Sequence, residues 1–250
     1  MKIALLTGAS SGLGRAYARL LPEMFPELDE IWLVARREER LRETAAQNPR
    51  FKPVPCDLTG EEGFRALRDR LTAEKSEILL LINNAGCGFL GEFSSSNEEE
   101  QLRTVDLNTR SLVRLTRLAL DYMPKGGRVL NTSSIASFSP NANMAVYSAT
   151  KAFVTFFSRA LNEELRAGGR SSTAVCPAPM NTEFLTVGRV TGNSRMFDLL
   201  PYCDVNQVAK GALKAAIKRK SVYTPRLFYR FYRFVSRVLP DALLIRMTKA

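Results

Sequence analysis

A chain of 250 residues and 27.9 kDa, 45% hydrophobic and 24% charged, suits one large domain or two small ones; this excludes a disordered chain and requires no disulfide or metal staple. Histidine is absent, which excludes Ser-His-Asp and Cys-His nucleophiles, zinc sites built on histidine and an imidazole pH switch. The net charge of +11 is unevenly placed: residues 218–250 hold nine Lys or Arg and one acid, whereas the first 217 hold 27 basic and 24 acidic groups, a nearly balanced body with a basic tail.

Short strand-like runs alternate with helical stretches along the chain. Ile3 to Leu6 is a buried-strand run, followed by a glycine-rich turn and a helical pattern from Leu13 to Met24. Ile31 to Val34 is the second run, and a charged helix over 37–47 ends at Asn48-Pro49. Phe51 to Cys56 reads as a third strand, for which Pro53 and Pro55 predict an irregular or edge position. A helix over 60–74 leads to the fourth run, Ile78 to Ile82. Asn97 followed by Glu100 has capping-box spacing and opens a long helix to about Met123. Arg128 to Leu130 is the fifth strand, 145–167 a helix stopped by Gly168-Gly169, and Ser172 to Cys176 the sixth strand. A helix over 204–219 precedes a seventh strand near Ser221 to Thr224, and residues 183–203, without clear periodicity, are expected to form a mobile loop over a site. Strands separated by helices imply an α/β fold with a parallel sheet covered on both faces. Right-handed crossovers then make it a Rossmann-type, doubly wound sheet of about seven strands. One domain is expected over 1–224, with a basic amphipathic helical extension over 225–250.

Cys56, Cys87, Cys176 and Cys203 lie far apart without CxxC pairing and read as buried free thiols in a reducing compartment. The start of the chain is too short in apolar residues for a signal-peptide core, and no apolar run reaches the ~18 residues of a membrane span. A cytoplasmic protein is the expectation.

Thr7-Gly8-Ala9-Ser10-Ser11-Gly12-Leu13-Gly14 lies between the first strand and the first helix. There the glycines let the backbone turn tightly and approach a pyrophosphate, while the helix amino end offers free N–H groups and a positive dipole. At the end of the second strand stands Ala35, followed by Arg36 and Arg37. A carboxylate that would accept from ribose hydroxyls is missing, and guanidinium groups suit a 2′-phosphate. This selects NADP(H) as cofactor, with Arg36 the preferred contact. Tyr147 and Lys151 stand four apart on a helix and share a face. A phenol titrates near ~10, so proton exchange at neutral pH needs about three units, roughly 4 kcal/mol. A neighbouring ammonium typically supplies about one to three of them.

The TGxxxGxG spacing resembles the fingerprint of the short-chain dehydrogenase/reductase family, and other motifs agree with it in order. Asn83-Asn84-Ala85-Gly86 matches NNAG after the fourth strand, Ser133-Ser134 closes the fifth, and Tyr147-x-x-x-Lys151 opens the next helix. Pro177 to Thr182 resembles the PGxxxT stretch, with Ala178 in place of its usual glycine. The resemblance covers about residues 1–220. It implies that Gly8, Ser10, Ser11, Gly12, Leu13, Gly14, Arg36, Asp57, Leu58, Asn84, Ala85, Gly86, Pro177 and Thr182 bind the cofactor together with Tyr147 and Lys151. In the implied chemistry Tyr147 exchanges the proton, Lys151 lowers its pKa and bonds the nicotinamide ribose, and Ser134 holds the substrate oxygen. Asn108 holds a water linking Lys151 to solvent, Thr182 fixes the carboxamide, and Asp57 accepts from the adenine amino group. An Asp at 57 could equally cap the helix near 60. Ser133 competes with Ser134 and is expected to face the sheet or act as a cap.

Phe89, Leu90, Phe93, Phe138, Met144, Phe184 and Leu185 are expected to border an apolar pocket for a steroid-, acyl- or lipid-like ketone, aldehyde or alcohol. Relatives commonly pair two long helices, which implies a homodimer or homotetramer. In the tail, Leu227, Phe231, Phe234, Val235 and Val238 form one stripe at 100° per residue, Arg226, Arg230, Arg233 and Arg237 a second, and Tyr229, Tyr232 and Ser236 the remaining side. Docking on the domain is preferred, with peripheral membrane contact next and an anionic acyl carrier after it. No module supports nucleic-acid binding. The alternative to an enzyme is a nucleotide-sensing or membrane-associated binding protein on the same fold. A sugar-nucleotide epimerase is disfavoured by the glycine spacing.

Overall fold

The computed structural model describes residues 1–190 and 200–247. Strands β1 (Lys2–Thr7), β2 (Glu30–Ala35), β3 (Phe51–Pro55), β4 (Glu77–Asn83), β5 (Arg128–Thr132), β6 (Ser171–Val175) and β7 (Val222–Tyr223) form one all-parallel sheet in the order β3-β2-β1-β4-β5-β6-β7. The reversal of direction falls between β1 and β4, where the doubly wound arrangement opens a crevice at the carboxyl ends of the strands. Pro53 and Pro55 lie on the outermost strand, as their missing N–H groups predict.

Alternate residues of each central strand serve opposite faces. Ala4, Leu6, Ile31 and Leu33 join one buried cluster with α1 (Gly12–Met24), whereas Ile3, Leu5, Trp32 and Val34 join another with α3 (Glu61–Ala73). The short α2 (Glu38–Ala45) precedes β3. Both faces are thus covered, which is why the strand runs read as continuously apolar.

The helix expected over 97–123 is interrupted. Asn97 does cap its start, its side chain accepting from the Glu100 N–H at 3.0 Å. Regular α-helix then runs only through α4 (Glu98–Val105) before a π-turn over Asp106–Arg110, and resumes as α5 (Ser111–Asp121). The extra residue of a π-turn re-aims one side chain, and here that side chain is Asn108. Helix α6 (Ala145–Arg166) follows β5 as expected. Within the stretch read as a loop, α7 (Glu183–Val187) forms one short helix, and residues 191–199 lie outside the described residues. Helix α8 (Val205–Ile217) is capped by Asp204, whose carboxylate accepts from the Gln207 N–H at 2.7 Å.

The basic extension is folded onto the body as two helices, α9 (Leu227–Val235) and α10 (Asp241–Met247), with Pro240 ahead of the second. Its tyrosine side faces inward. Tyr229 is fully buried in the α1 cluster and donates to the Pro201 carbonyl at 2.8 Å, while the Tyr232 hydroxyl meets Ser139 Oγ at 2.5 Å. Among the described residues no helix is long and apolar enough to cross a membrane. All four cysteines are free, three of them buried and Cys87 half-buried.

Candidate active site

The carboxyl ends of β1, β2, β4, β5 and β6 open into one cavity of about 600 Å³. Every residue singled out from the sequence for cofactor or catalysis lines it except Gly14 and Asn108, which stand behind its wall. Gly14 lies where the helix crosses the turn: a Cβ there would sit 2.0 Å from the Gly8 carbonyl oxygen, so only glycine lets α1 start so close to β1. Ser11, at the cap position of α1, makes no side-chain bond to the helix, leaving the first N–H groups free of a side-chain cap. The second wall of this half is tied to the first. Thr7 Oγ1 accepts from the N–H groups of Asn84 and Ala85, both at 2.9 Å, and Asn84 Nδ2 donates to the Thr7 carbonyl at 3.1 Å. Asn83 instead points into the sheet, donating to Asn131 and Thr116.

At the end of β2, Arg36 and Arg37 both reach the cavity. Arg37 donates to Ser10 Oγ at 3.2 Å and to Glu183 at 3.0 Å, and Arg40 pairs with the same carboxylate. The guanidiniums of Arg40 and Arg37 hold Glu183 below the usual carboxylate range, Arg40 first. Glu183 had no sequence signal; it clasps α7 to α2. Asp57 does not cap α3, whose cap position is Gly60; its carboxylate closes a local turn by accepting from the N–H and hydroxyl of Thr59. Burial pushes its pKa up, but the Thr59 bonds and the nearby Arg36 outweigh that and leave it lowered.

Tyr147 and Lys151 stand on one face of α6, both buried. The Lys151 amine donates to the Thr132 carbonyl at 2.9 Å and lies 5.7 Å from the Tyr147 ring centroid. Burial pushes Tyr147 up to about 12, against the downward pull of the Ser134 hydroxyl. Burial likewise pushes Lys151 down to about 8. Desolvation of the phenol outweighs the downward pull of its neighbours. Ser133 Oγ donates to the Lys151 carbonyl at 2.7 Å and also meets Thr155, so it is committed to α6 rather than to the sheet or a helix cap. Ser134 lines the cavity beside Tyr147, its oxygen accepting from the Ala136 N–H at 3.1 Å.

Asn108 acts on the loop that carries Gly86. Its amide donates to the Cys87 carbonyl at 2.8 Å and to Thr150 Oγ1 at 3.0 Å, and its oxygen accepts from the Cys87 N–H at 3.0 Å. Gly88 was not singled out from the sequence. A Cβ on it would lie 2.3 Å from Tyr147 Cδ2, so the phenol ring packs directly on its backbone. Its signal was a second glycine two residues past NNAG. Thr182 packs its methyl against Gly12 and precedes α7. Of the apolar residues expected at the pocket, Phe89, Met144, Phe184 and Leu185 line it; Leu90, Phe93 and Phe138 do not. Phe93 is exposed on a 3-10 turn, and Phe138 packs on Tyr232 at 6.1 Å. Their places are taken by the extension, through Phe228, Tyr232, Val235 and Leu244.

Fold and cavity together define a dinucleotide-binding domain of the doubly wound class, with Tyr147 and Lys151 at its crevice. The profile of the short-chain dehydrogenase family matches residues 2–189, and the chain belongs to that family as one of its oxidoreductases. A short-chain dehydrogenase of Sphingobium yanoikuyae, solved with NADPH, is 30% identical, with a TM-score of 0.80 over 98% of this chain and 95% of that one. The bulky-bulky ketone specific alcohol dehydrogenase of Comamonas testosteroni is 30% identical, with a TM-score of 0.77 over 98% and 94%. Human 15-hydroxyprostaglandin dehydrogenase [NAD(+)] is 32% identical over 197 residues, 74% of this chain and 70% of its own length.

Proposed function

We propose that the protein interconverts a ketone or aldehyde and an alcohol on an apolar substrate, with NADP(H) as cofactor and Tyr147 as acid and base. The observation that carries this reading is that Ser134, Tyr147 and Lys151 share one cavity with the glycine turn and the arginines after β2. The turn, with its close-packed glycines and free helix N–H groups, fits a pyrophosphate. Arg36 and Arg37 fit a 2′-phosphate, and Ala35 offers no carboxylate to repel it. The name of the human relative specifies NAD(+), whereas the Sphingobium relative was solved with NADPH; the arginines favour the latter for this chain.

A bound nicotinamide cofactor supplies or accepts the hydride. The chain's own residues manage the oxygen and the proton. Ser134 holds the carbonyl oxygen, and Tyr147 donates its phenolic proton as negative charge builds there. With its pKa pushed up to about 12, Tyr147 stays protonated through neutral pH, which suits reduction. Lys151, at about 8, remains mostly cationic at pH 7 and stabilises the phenolate formed. Asn108 is a positioning residue: it pins the Gly86 to Gly88 segment on which the ring rests. The apolar wall from Phe89, Met144, Phe184 and the extension suits a bulky carbonyl compound, in line with the ketone specificity in the name of the Comamonas relative.

Leu102, Val105, Val113, Phe153 and Phe156 are exposed apolar residues on α4, α5 and α6, which we assign to the interface of a homodimer or homotetramer; light scattering tests it.

The enzyme reading is tested by following NADPH and NADH consumption against ketosteroids, 3-oxoacyl thioesters and aryl ketones. Tyr147→Phe is expected to lower kcat on any substrate found by about a thousandfold while NADPH still binds, as followed by fluorescence titration. Unaltered kcat in that variant overturns the assignment, and tight NADPH binding without turnover of any carbonyl favours the binding-protein alternative.

A further inference from the structure

The inward tyrosines of α9 settle which side of this helix is left outside. Leu227, Phe231, Phe234 and Val238 are 78, 66, 65 and 69% exposed, and Phe228 beside them is also exposed. These are the apolar groups that a helix docked for stability alone would bury. Surface stripes of this kind mark a contact with something else. Arg226, Arg230, Arg233 and Arg237 run alongside, and the single acid of residues 225–250 is Asp241 on the next helix. Arg230 and Arg233 are partly turned to the body, donating to the carbonyl and hydroxyl of Thr224, while Arg226 and Arg237 are exposed.

The charges decide what covers the stripe. Two copies of this chain paired through it would bring two sets of arginines together, with no acid on either α9 to answer them. An anionic lipid surface offers phosphates to the arginines and an acyl boundary to the aromatic and aliphatic side chains. We propose that the outer face of α9 docks on an anionic membrane surface, lying in the interface plane rather than spanning the bilayer. The inner face of the same helix supplies Tyr229, Tyr232 and Val235 to the cavity wall, and Phe228 reaches the cavity from the edge between the two faces. The docked bilayer and the substrate cavity would then be separated by the thickness of one helix. This inference does not rest on the hydride chemistry and is tested without it.

The experiment is co-sedimentation of the full chain with vesicles of phosphatidylcholine alone, and of phosphatidylcholine and phosphatidylglycerol in equal parts. Binding is expected to the anionic vesicles and to weaken with salt. Leu227→Ser, Phe231→Ser and Phe234→Ser combined should lower the partition by about tenfold or more. The changed side chains are exposed, and a melting curve like that of the parent checks the fold. Arg226→Gln with Arg237→Gln should lower partition on anionic vesicles by about tenfold and leave neutral ones unaffected. A conservative second measurement uses Phe231→Trp with brominated lipids. The native Trp32, fully buried in β2, serves as the unquenched reference, and quenching of the new indole is expected. No sedimentation with anionic vesicles, unchanged partition in the triple serine variant, or no quenching would each overturn the proposal. So would a dimer, seen by light scattering, that the triple serine variant dissolves while the parent ignores vesicles; the stripe would then belong to a second copy.

Discussion

The cavity has two walls made by different means. On the cofactor side, the β1–α1 turn, the ends of β4 and β5 and the base of α6 are held by backbone groups, glycines without room for a Cβ, and buried polar side chains bonded to main chain. On the opposite side, α7, α9 and α10 present phenylalanine, valine and leucine, anchored from behind by Tyr229 and Tyr232. The first wall is specified atom by atom, since an unmade buried hydrogen bond or a single added methyl group costs more than it can absorb. The second is specified by volume and polarity, and many sequences would fill it. On the proposed function, chemistry belongs to the first wall and substrate choice to the second.

The sharpest test of that contrast is Gly88→Ala. The added methyl would meet Tyr147 Cδ2 at 2.3 Å, so the ring must move and kcat should fall by about a hundredfold, while NADPH titration changes little. An unaffected kcat would mean the first wall is more pliant than described. Next in size is the burial of Lys151. Its pKa falls from 10.5 to about 8 in the fold, so the folded state is penalised while the amine is charged. That penalty is full below the folded pKa and fades as pH rises toward the unfolded one. The ligand-free protein should therefore gain about 2 kcal/mol from this group between pH 7 and 9.5. Urea unfolding of Lys151→Met at both pH values should lack that gain; equal slopes would refute the burial cost. Smaller again, Arg36→Ala should raise the KM for NADPH by about tenfold and leave that for NADH unchanged. The smallest effect belongs to the second wall: Val235→Ala should raise KM for an apolar ketone roughly fivefold with kcat retained. A large loss of kcat there would erase the distinction between the two walls.

The same contrast explains what could be read in advance. The strands were visible because both faces of a parallel sheet are covered, so each strand is an unbroken apolar run. The edge place of β3 followed from two prolines. The polar wall was visible because its geometry demands glycine, asparagine, tyrosine and lysine at fixed spacings. The π-turn at Asp106–Arg110 left no trace, since one extra residue in a helix changes no composition and barely changes periodicity. Glu183 looked like any surface acid, its partners Arg37 and Arg40 lying far away in sequence. Phe93 and Phe138 were expected at the pocket because apolarity names no direction; Phe138 found Tyr232 instead. In the tail the pattern separated the tyrosines from the apolar stripe but placed Val235 with the latter, whereas it turns to the cavity, and it did not say which side turned inward. Tyrosine won because its ring fills the gap over α1 and its hydroxyl reaches a polar partner.

The prolines of β3 also bear on how copies of this protein can meet. Ile31 and Cys56 make main-chain bonds between β2 and β3, so the N–H positions that point away from the sheet are 51, 53 and 55. Phe51 spends its N–H on the Asn48 carbonyl, and Pro53 and Pro55 have none to offer. This border therefore has no donor row on which a foreign strand could zip, and β7 at the other border is two residues long. Templated fibre growth is thus blocked by covalent structure at the β3 border and disfavoured by shortness at the β7 border.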